Sequence, residues 1–362
     1  MADEYPDARI TGIEFHPLIY ESVAKNFAGR SNIMIHHADF LSDAAVGTVA
    51  TPPDLIIGNP PYFVMKKDAV PKEYHPYFDG RPNIFALFII KAATLLLEGG
   101  ILCFVLPSSF MNSSYYDKTR KYLVAHFTVL HVIRSESLSE DVRYIDTVQD
   151  TIVIVVQKRN GLGEEGAGAG AEGVFEKHGM TIFTDNVPRL IRLYSGSKSL
   201  VELHFTVHVG TVVWNQCKTI LTDDTSKTRL IYSSNIKDGA FVHKTYKNAE
   251  KKAFIDKPGI QAPMIVLNRG YGVGEYQFDY CLITPEIIGS ASYLVENHLI
   301  CIKADTAVSG VAGGGGGGIT DAGFQRVLRS FRDPRTREFI ECYFGNSAIN
   351  TTELNHMLPI YE

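Results

Sequence analysis

The chain has 362 residues, 45% of them apolar in the broad sense, and a formal net charge of −5. That length suits two domains, each able to bury a core. The longest apolar candidate, Ile84 to Leu97, is broken by Lys91 and Thr94, so no membrane-spanning helix is expected; the opening MADEYPDARITG lacks the basic-then-apolar pattern of a secretory leader.

The charge is spread evenly. Residues 1–200 carry 19 basic and 23 acidic side chains (net −4) and residues 201–362 carry 16 and 17 (net −1). Nucleic-acid binders usually show a basic surface, which net charge does not reveal here, although a local basic groove is compatible with a mildly acidic chain. The five cysteines, at 103, 217, 281, 301 and 342, form no CxxC pair and no His cluster completes a zinc pattern. They read as reduced, mostly buried thiols of an intracellular protein without a metal centre.

In chain order, ARITGIE (8–14) reads as a strand. Pro17 to Phe27 reads as a helix with proline in its first turn. SNIMIHH (31–37) and DLIIG (54–58) are strands, the second wholly apolar after its acid. Asn83 to Glu98 is helical and apolar almost all round, which predicts a helix sandwiched in the core, ended by Gly99 and Gly100. ILCFVLP (101–107) is a buried strand, and Ser114 through Asp117 fits a capping pattern opening a helix to about Ala125. Thr128–Ile133 and Thr151–Gln157 are β-branched strands. Strands alternating with helices imply an open parallel α/β sheet.

A Gly/Ala/Glu tract at 160–173 reads as a flexible linker or insertion. Beyond it short β-type segments dominate: Leu203–Val209, Leu230–Tyr232, Met264–Leu267, Tyr280–Thr284 and His298–Ile302. The expected domains are 1–159, a linker at 160–173, and 174–362 with a mobile Gly-rich loop at 307–318. Asn350, with Glu353 three residues on, predicts the start of a short helix that stops before Pro359.

Chemistry concentrates at Asn59-Pro60-Pro61-Tyr62, directly after the apolar strand 54–58 and therefore at the carboxyl edge of the sheet, where open α/β proteins bind ligands. Asn59 offers a side-chain carbonyl. Pro60 offers a backbone carbonyl, and Pro61 holds Pro60 extended. Two acceptors in fixed relation beside the Tyr62 ring suit a planar amine with two N–H donors. Such hydrogen bonds draw its hydrogens out of plane, localise the nitrogen lone pair and prepare it to attack a sulfonium methyl, while the ring stacks on the base. A base inside a duplex must flip out to reach the pocket.

The chain resembles the S-adenosylmethionine-dependent N6-adenine DNA methyltransferases, in gamma-like motif order with a C-terminal target-recognition domain. The likeness runs over nearly its whole length. It implies a Rossmann-like methyltransferase sheet plus a mixed, mostly β recognition domain, double-stranded DNA as substrate, and an intracellular setting in a prokaryote or virus-infected cell. On the family pattern Glu14, ending the second strand, binds the cofactor ribose; Asp39, with Phe40 beside it, contacts the cofactor adenine; Asn59, Pro60, Pro61 and Tyr62 are catalytic. Asn83-Ile84-Phe85-Ala86-Leu87-Phe88 matches the next motif, with Phe88 lining the cofactor pocket. Tyr144 matches an aromatic facing the flipped base. The segments VGTVVWNQCK, LIYSSNI, VLNRGYG, VENHLICI and FGNSAINTTELNHMLPI resemble the recognition domain, with Lys218 and Arg269 as DNA contacts. Trp214 and His298 read as core residues.

The family's first motif, a central strand with a Gly-rich turn, does not precede strand 8–14 in this sequence. Strands 8–14 and 54–58 are therefore expected to lack a partner and the chain alone to bind cofactor poorly, a separate chain being one source of the missing motif. Two other readings keep the same motifs: a catalytically dead DNA-binding subunit, and a glutamine methyltransferase acting on proteins.

Overall fold

Runs of four to eight apolar residues become strands here wherever a neighbouring backbone can take their hydrogen bonds. The computed structural model describes residues 3–42, 47, 49, 51–134, 151–161, 172–269, 278–305, 317–344 and 349–362. Contacts divide the chain into two units, Met1–Val187 and Pro188–Glu362.

In the first unit β1 (Ile10–Glu14) runs parallel to β2 (Ile33–His37), with α1 (Pro17–Phe27) crossing between them. β3 (Leu55–Gly58) runs parallel to β4 (Ile101–Pro107), with α2 (Ile84–Leu95) in the crossover. β5 (Phe127–Arg134) follows α3 (Asp117–His126), and β6 (Thr151–Lys158) inserts between β4 and β5, antiparallel to both. The order is thus β3-β4-β6-β5, a Rossmann-like α/β sheet that is mixed where the sequence suggested parallel strands. Strand direction depends on which neighbour a strand meets, and no local pattern encodes that.

The expected gap in pairing is present. β1 and β2 form a sheet of their own, and among the described residues no strand pairs with the second edge of β1 or of β3. Their apolar side chains stay in contact with water: Ile57 is 56% and Met34 59% exposed, and α1 buries no residue.

α2 occupies the sandwiched position its composition predicts. Phe85, Ala86, Ile89, Ala92 and Ala93 enter the main core with Leu102, Phe104 and Ile154, while Leu87 and Ile90 meet Val70, Tyr74 and Phe78 on the other side. Asn83 caps it, its side chain accepting from the Phe85 N–H. The glycines do not end it. The helix stops at Leu95, and Lys158 on β6 donates to the orphan carbonyls of Ala93 and Leu96, both at 2.8 Å. Gly99, at φ +78, instead turns the chain into β4. The pattern at 114–117 also resolves differently: Ser114–Tyr116 is a 3-10 turn, and α3 starts at Asp117 with no side-chain cap.

The contact boundary falls 14 residues past the expected one at 173. β7 (Val174–Lys177) and β8 (Met180–Phe183) pair with each other, and Val174 and Phe183 pack in the core beside Val129 and Val132. Arg120 on α3, wholly buried, donates to the carbonyls of Phe110 at 2.8 Å and Thr181 at 2.5 Å, and Asp117 accepts from the Thr181 N–H at 2.8 Å. Residues 162–171 of the linker tract lie outside the described residues.

The second unit holds two four-stranded sheets. One, ordered β16 (Tyr280–Ile283), β15 (Met264–Asn268), β18 (Leu299–Ala304), β9 (Phe205–Val209), is antiparallel throughout. The other is ordered β10 (Leu221–Thr222), β14 (Phe254–Ile255), β11 (Thr228–Ile231), β17 (Tyr293–Val295), with β11 and β17 parallel. Ile231, Met264, Val266, Ile283 and Val295 share one core. A hairpin of β12 (Ile236–Lys237) and β13 (Ala240–Phe241) turns at Asp238-Gly239, both at positive φ, as a two-residue hairpin loop requires.

This unit is more helical than its sequence texture suggests. It contains α4 (Val187–Tyr194), α5 (Gly317–Arg332), α6 (Pro334–Tyr343) and α7 (Thr351–His356). Gly317 and Gly318 of the glycine tract open α5, while 307–316 lie outside the described residues. Asn350 caps α7 as predicted, accepting from the Glu353 N–H at 2.8 Å. Among the described residues no helix is long and apolar enough to cross a membrane.

Candidate active site

Three strands deliver the predicted residues at their carboxyl ends. Glu14 closes β1, Asp39 follows β2 by two residues, and Asn59 follows β3. Gly58 sets the exit of β3: it faces Phe104 across the ladder, and a Cβ there would come within 2.8 Å of the Phe104 ring. A larger residue would push the following loop off β4.

Asn59 and Pro61 are exposed, Pro60 is buried and Tyr62 is half-buried. The Tyr62 hydroxyl lies 2.8 Å from Asn59 Oδ1 and 2.9 Å from the carbonyl oxygen of Val105 on β4. One phenolic proton faces two acceptors, so it serves them alternately or shares between them. No described residue donates to the Pro60 carbonyl.

Below this loop is an aromatic floor that the motif alone did not reveal. Phe85 meets the Tyr62 ring at 89° with centroids 6.2 Å apart, and packs on Tyr116 and Phe110 at 4.8 and 5.8 Å. Burial raises the Tyr116 phenol above its ordinary pKa, and hydrogen bonds to Ser109 and Asn83 oppose that.

One turn along α2, Phe88 stacks on Phe40 with centroids 5.1 Å apart at 28°. Residues three apart share a helix face, so α2 joins the Asn59–Tyr62 loop, through Phe85, to the Asp39–Phe40 turn, through Phe88. At that turn the Leu41 N–H donates to Asp39 Oδ1 at 2.9 Å, leaving Oδ2 without a described partner. Glu14 Oε1 accepts the His16 N–H at 2.7 Å, and its Oε2 is likewise open. Two carboxylates and a stacked ring pair fit the hydroxyls and base of a nucleoside. No Gly-rich turn accompanies them at this sheet edge among the described residues.

The other predicted residues are scattered. Lys218 lies in a 3-10 turn, ion-paired with Glu250 at 2.6 Å. Arg269, half-buried after β15, accepts the Ile349 N–H on its carbonyl at 3.1 Å. Tyr144 lies outside the described residues. Trp214 is partly buried beside Leu230 and Tyr232, with Lys218 and Lys251 near its ring. His298 bonds to Glu296 through Nδ1 as a packed histidine would, yet its side chain is half exposed.

Residues 21–139 match the Eco57I restriction-modification methylase family. The type II methyltransferase M.CvrRI of Paramecium bursaria Chlorella virus XZ-6E is 25% identical over 99% of this chain and 83% of its own length. The modification methylase CviBIII of Paramecium bursaria Chlorella virus NC1A is 31% identical, over 45% of this chain and 40% of its own. Among solved structures, a class I S-adenosylmethionine-dependent methyltransferase of Listeria monocytogenes overlays 45% of this chain and 50% of its own at 17% identity and a TM-score of 0.38. S-adenosylmethionine is the methyl donor of this class of enzyme. Residues 21–139 are thus similar to the Eco57I restriction-modification methylases, and the chain is similar along nearly its whole length to a type II methyltransferase.

Proposed function

We propose that the chain methylates N6 of an adenine flipped out of duplex DNA, in a restriction-modification system. The observation that carries this reading is the Asn59–Tyr62 loop at the end of β3, with the Pro60 carbonyl unengaged and α2 tying the loop to the Asp39–Phe40 turn. Asn59 Oδ1 and the Pro60 carbonyl accept the two N–H groups of the amine. Asn59 Oδ1 keeps a second lone pair for the substrate while it accepts from the Tyr62 hydroxyl, which orients the amide. Glu14 and Asp39 hold the ribose and adenine of the cofactor, whose sulfonium supplies an electrophilic methyl group. Tyr62 stacks on the flipped base.

The test uses labelled methyl donor at several millimolar with duplex DNA and, separately, protein substrates. Label recovered as N6-methyladenine is the expected result. Label on a glutamine side chain, or on cytosine, would overturn the reading.

Tyr62→Phe separates the ring from its hydroxyl. Losing the bond that orients the Asn59 amide is expected to lower kcat about tenfold, the equivalent of about 1.4 kcal/mol, with DNA affinity unchanged. An unaltered kcat would restrict Tyr62 to stacking.

The open edges of β1 and β3 belong to the same proposal. A further strand, on a segment outside residues 1–362 or on another chain, pairs there and completes the methionine end of the cofactor site. Residues 1–362 alone are therefore expected to bind S-adenosylmethionine more weakly than about 100 μM, equivalent to about −5.5 kcal/mol. Calorimetric titration giving tighter binding would show the site to be complete without that strand.

A further inference from the structure

The even charge of the two halves conceals a local excess. Residues 237–257 hold six lysines, at 237, 244, 247, 251, 252 and 257, against Asp238, Glu250 and Asp256, a net of +3 in a chain of net −5. The fold brings this segment together with β11, and several cations there have no acidic partner. Lys227, Lys252 and Lys218 are ion-paired, with Asp256, Asp223 and Glu250. Among the described residues, Arg229, Lys244, Lys247 and Lys251 make no ion pair.

Arg229, on β11, is only 6% exposed. Its guanidinium lies between the rings of Phe254 and Phe241, at 4.9 and 5.6 Å, and its Nε is buried with no hydrogen-bond partner. Burial lowers its pKa from the ordinary value. Lys251 sits 4.1 Å from the Tyr232 ring centroid and 5.0 Å from that of Tyr246. Burial lowers its pKa too, and the acid that opposes this, Glu296, is itself engaged by His298. The rings are held in place: the Tyr232 hydroxyl donates to the Lys252 carbonyl at 2.8 Å, and that of Tyr246 to Asn235 Oδ1 at 3.0 Å.

A cation stripped of water and denied a carboxylate is costly, and ring faces return only part of that cost. An external anion supplies the remainder, and a row of such cations suits a partner with regularly spaced negative charge. We propose that this face of the second unit, formed by Lys251 and the exposed Lys244 and Lys247 with the buried Arg229 adding its charge to the local field, grips the phosphate backbone of duplex DNA. The proposal rests on the reading of DNA as substrate. Backbone contacts of this kind set register and affinity and carry no base specificity.

Each phosphate contact contributes about 0.9 to the slope of log K against log salt. Binding of the full chain to a fluorescent DNA duplex is measured by anisotropy across a salt series, for the unsubstituted protein and for the triple variant Lys244→Gln, Lys247→Gln, Lys251→Gln. Circular dichroism melts confirm that the variant folds; if the triple variant does not fold, Lys244→Gln and Lys247→Gln, at exposed positions, are compared singly. The expected result is a slope shallower by about two to three for the triple variant, or about one for each single variant, with affinity in 0.1 M salt reduced about tenfold or more. An unchanged slope in a folded variant overturns this surface and leaves DNA as the substrate. No duplex binding by the unsubstituted chain overturns both.

Discussion

Asn59→Ala is expected to lower methyl transfer to DNA by two to three orders of magnitude while changing the dissociation constant for duplex DNA by less than about twofold. The size follows from the chemistry. An acceptor aimed at charge that develops on the attacking nitrogen acts mainly in the transition state, and removing one such preorganised group costs about 3–4 kcal/mol. The small effect on binding follows from position. Asn59 is exposed, and the side-chain bond recorded for it is to Tyr62, whose hydroxyl retains the Val105 carbonyl after the substitution. Asn59→Asp keeps an acceptor oxygen and should retain more activity than the alanine variant. The measurement is single-turnover transfer at several millimolar cofactor, paired with anisotropy on the same duplex. An alanine variant within tenfold of the unsubstituted protein would mean that the amine is not held at this residue.

Arg120→Met should be the most damaging single change to the stability of the first unit. Arg120 is 0% exposed and joins three segments: α3, the nearby turn containing Phe110, and, 61 residues away, β8 through Thr181. Its Nη2 also faces Asp117 at 3.7 Å, an ion pair too long to be a hydrogen bond. Methionine fills part of the volume but leaves two buried carbonyls without their donor and Asp117 without its buried cation. Breaking a buried arrangement of this kind costs about 3–5 kcal/mol. For a unit of this size that corresponds to a fall in Tm of roughly 6–20 °C. Thermal unfolding followed by circular dichroism measures it. A fall of less than about 3 °C would show that the β7–β8 hairpin docks by apolar packing alone. The Phe110 turn carries part of the aromatic floor beneath Tyr62, so the variant should also lose methyl transfer in proportion to the fraction unfolded.

Much of the first unit was legible in advance because its signals are local. Runs such as LIIG and ILCFVLP form strands as their composition suggests, although Leu55 and Ile57 of the first stay exposed, and the helix at 84–95 is apolar all round because two clusters cover it. Glu14 at the end of β1, Asp39 after β2 and the loop after β3 could be singled out as candidates because strand ends in open α/β sheets carry ligands irrespective of the side chains between them. What was missed depended on distance. The antiparallel insertion of β6 is decided by two neighbours that the sequence does not name. Lys158, not Gly99 or Gly100, meets the carbonyls at the end of α2, and it lies more than sixty residues away. α5 has apolar residues at 324, 327, 328 and 331, a helical spacing, but the glycine tract before it reads as loop.

By itself the sequence determined the apolar elements, the place of the Asn59–Tyr62 loop and the chemistry its atoms can perform, since these follow from side-chain type and short spacing. Only the tertiary structure decided that Phe85 and Phe88 connect that loop to the Asp39–Phe40 turn, that Arg120 locks β8 to α3, and that Arg229 and Lys251 lie on rings without a carboxylate. Each of these joins residues distant along the chain, and their energies come from exclusion of water around groups that no sequence window contains together.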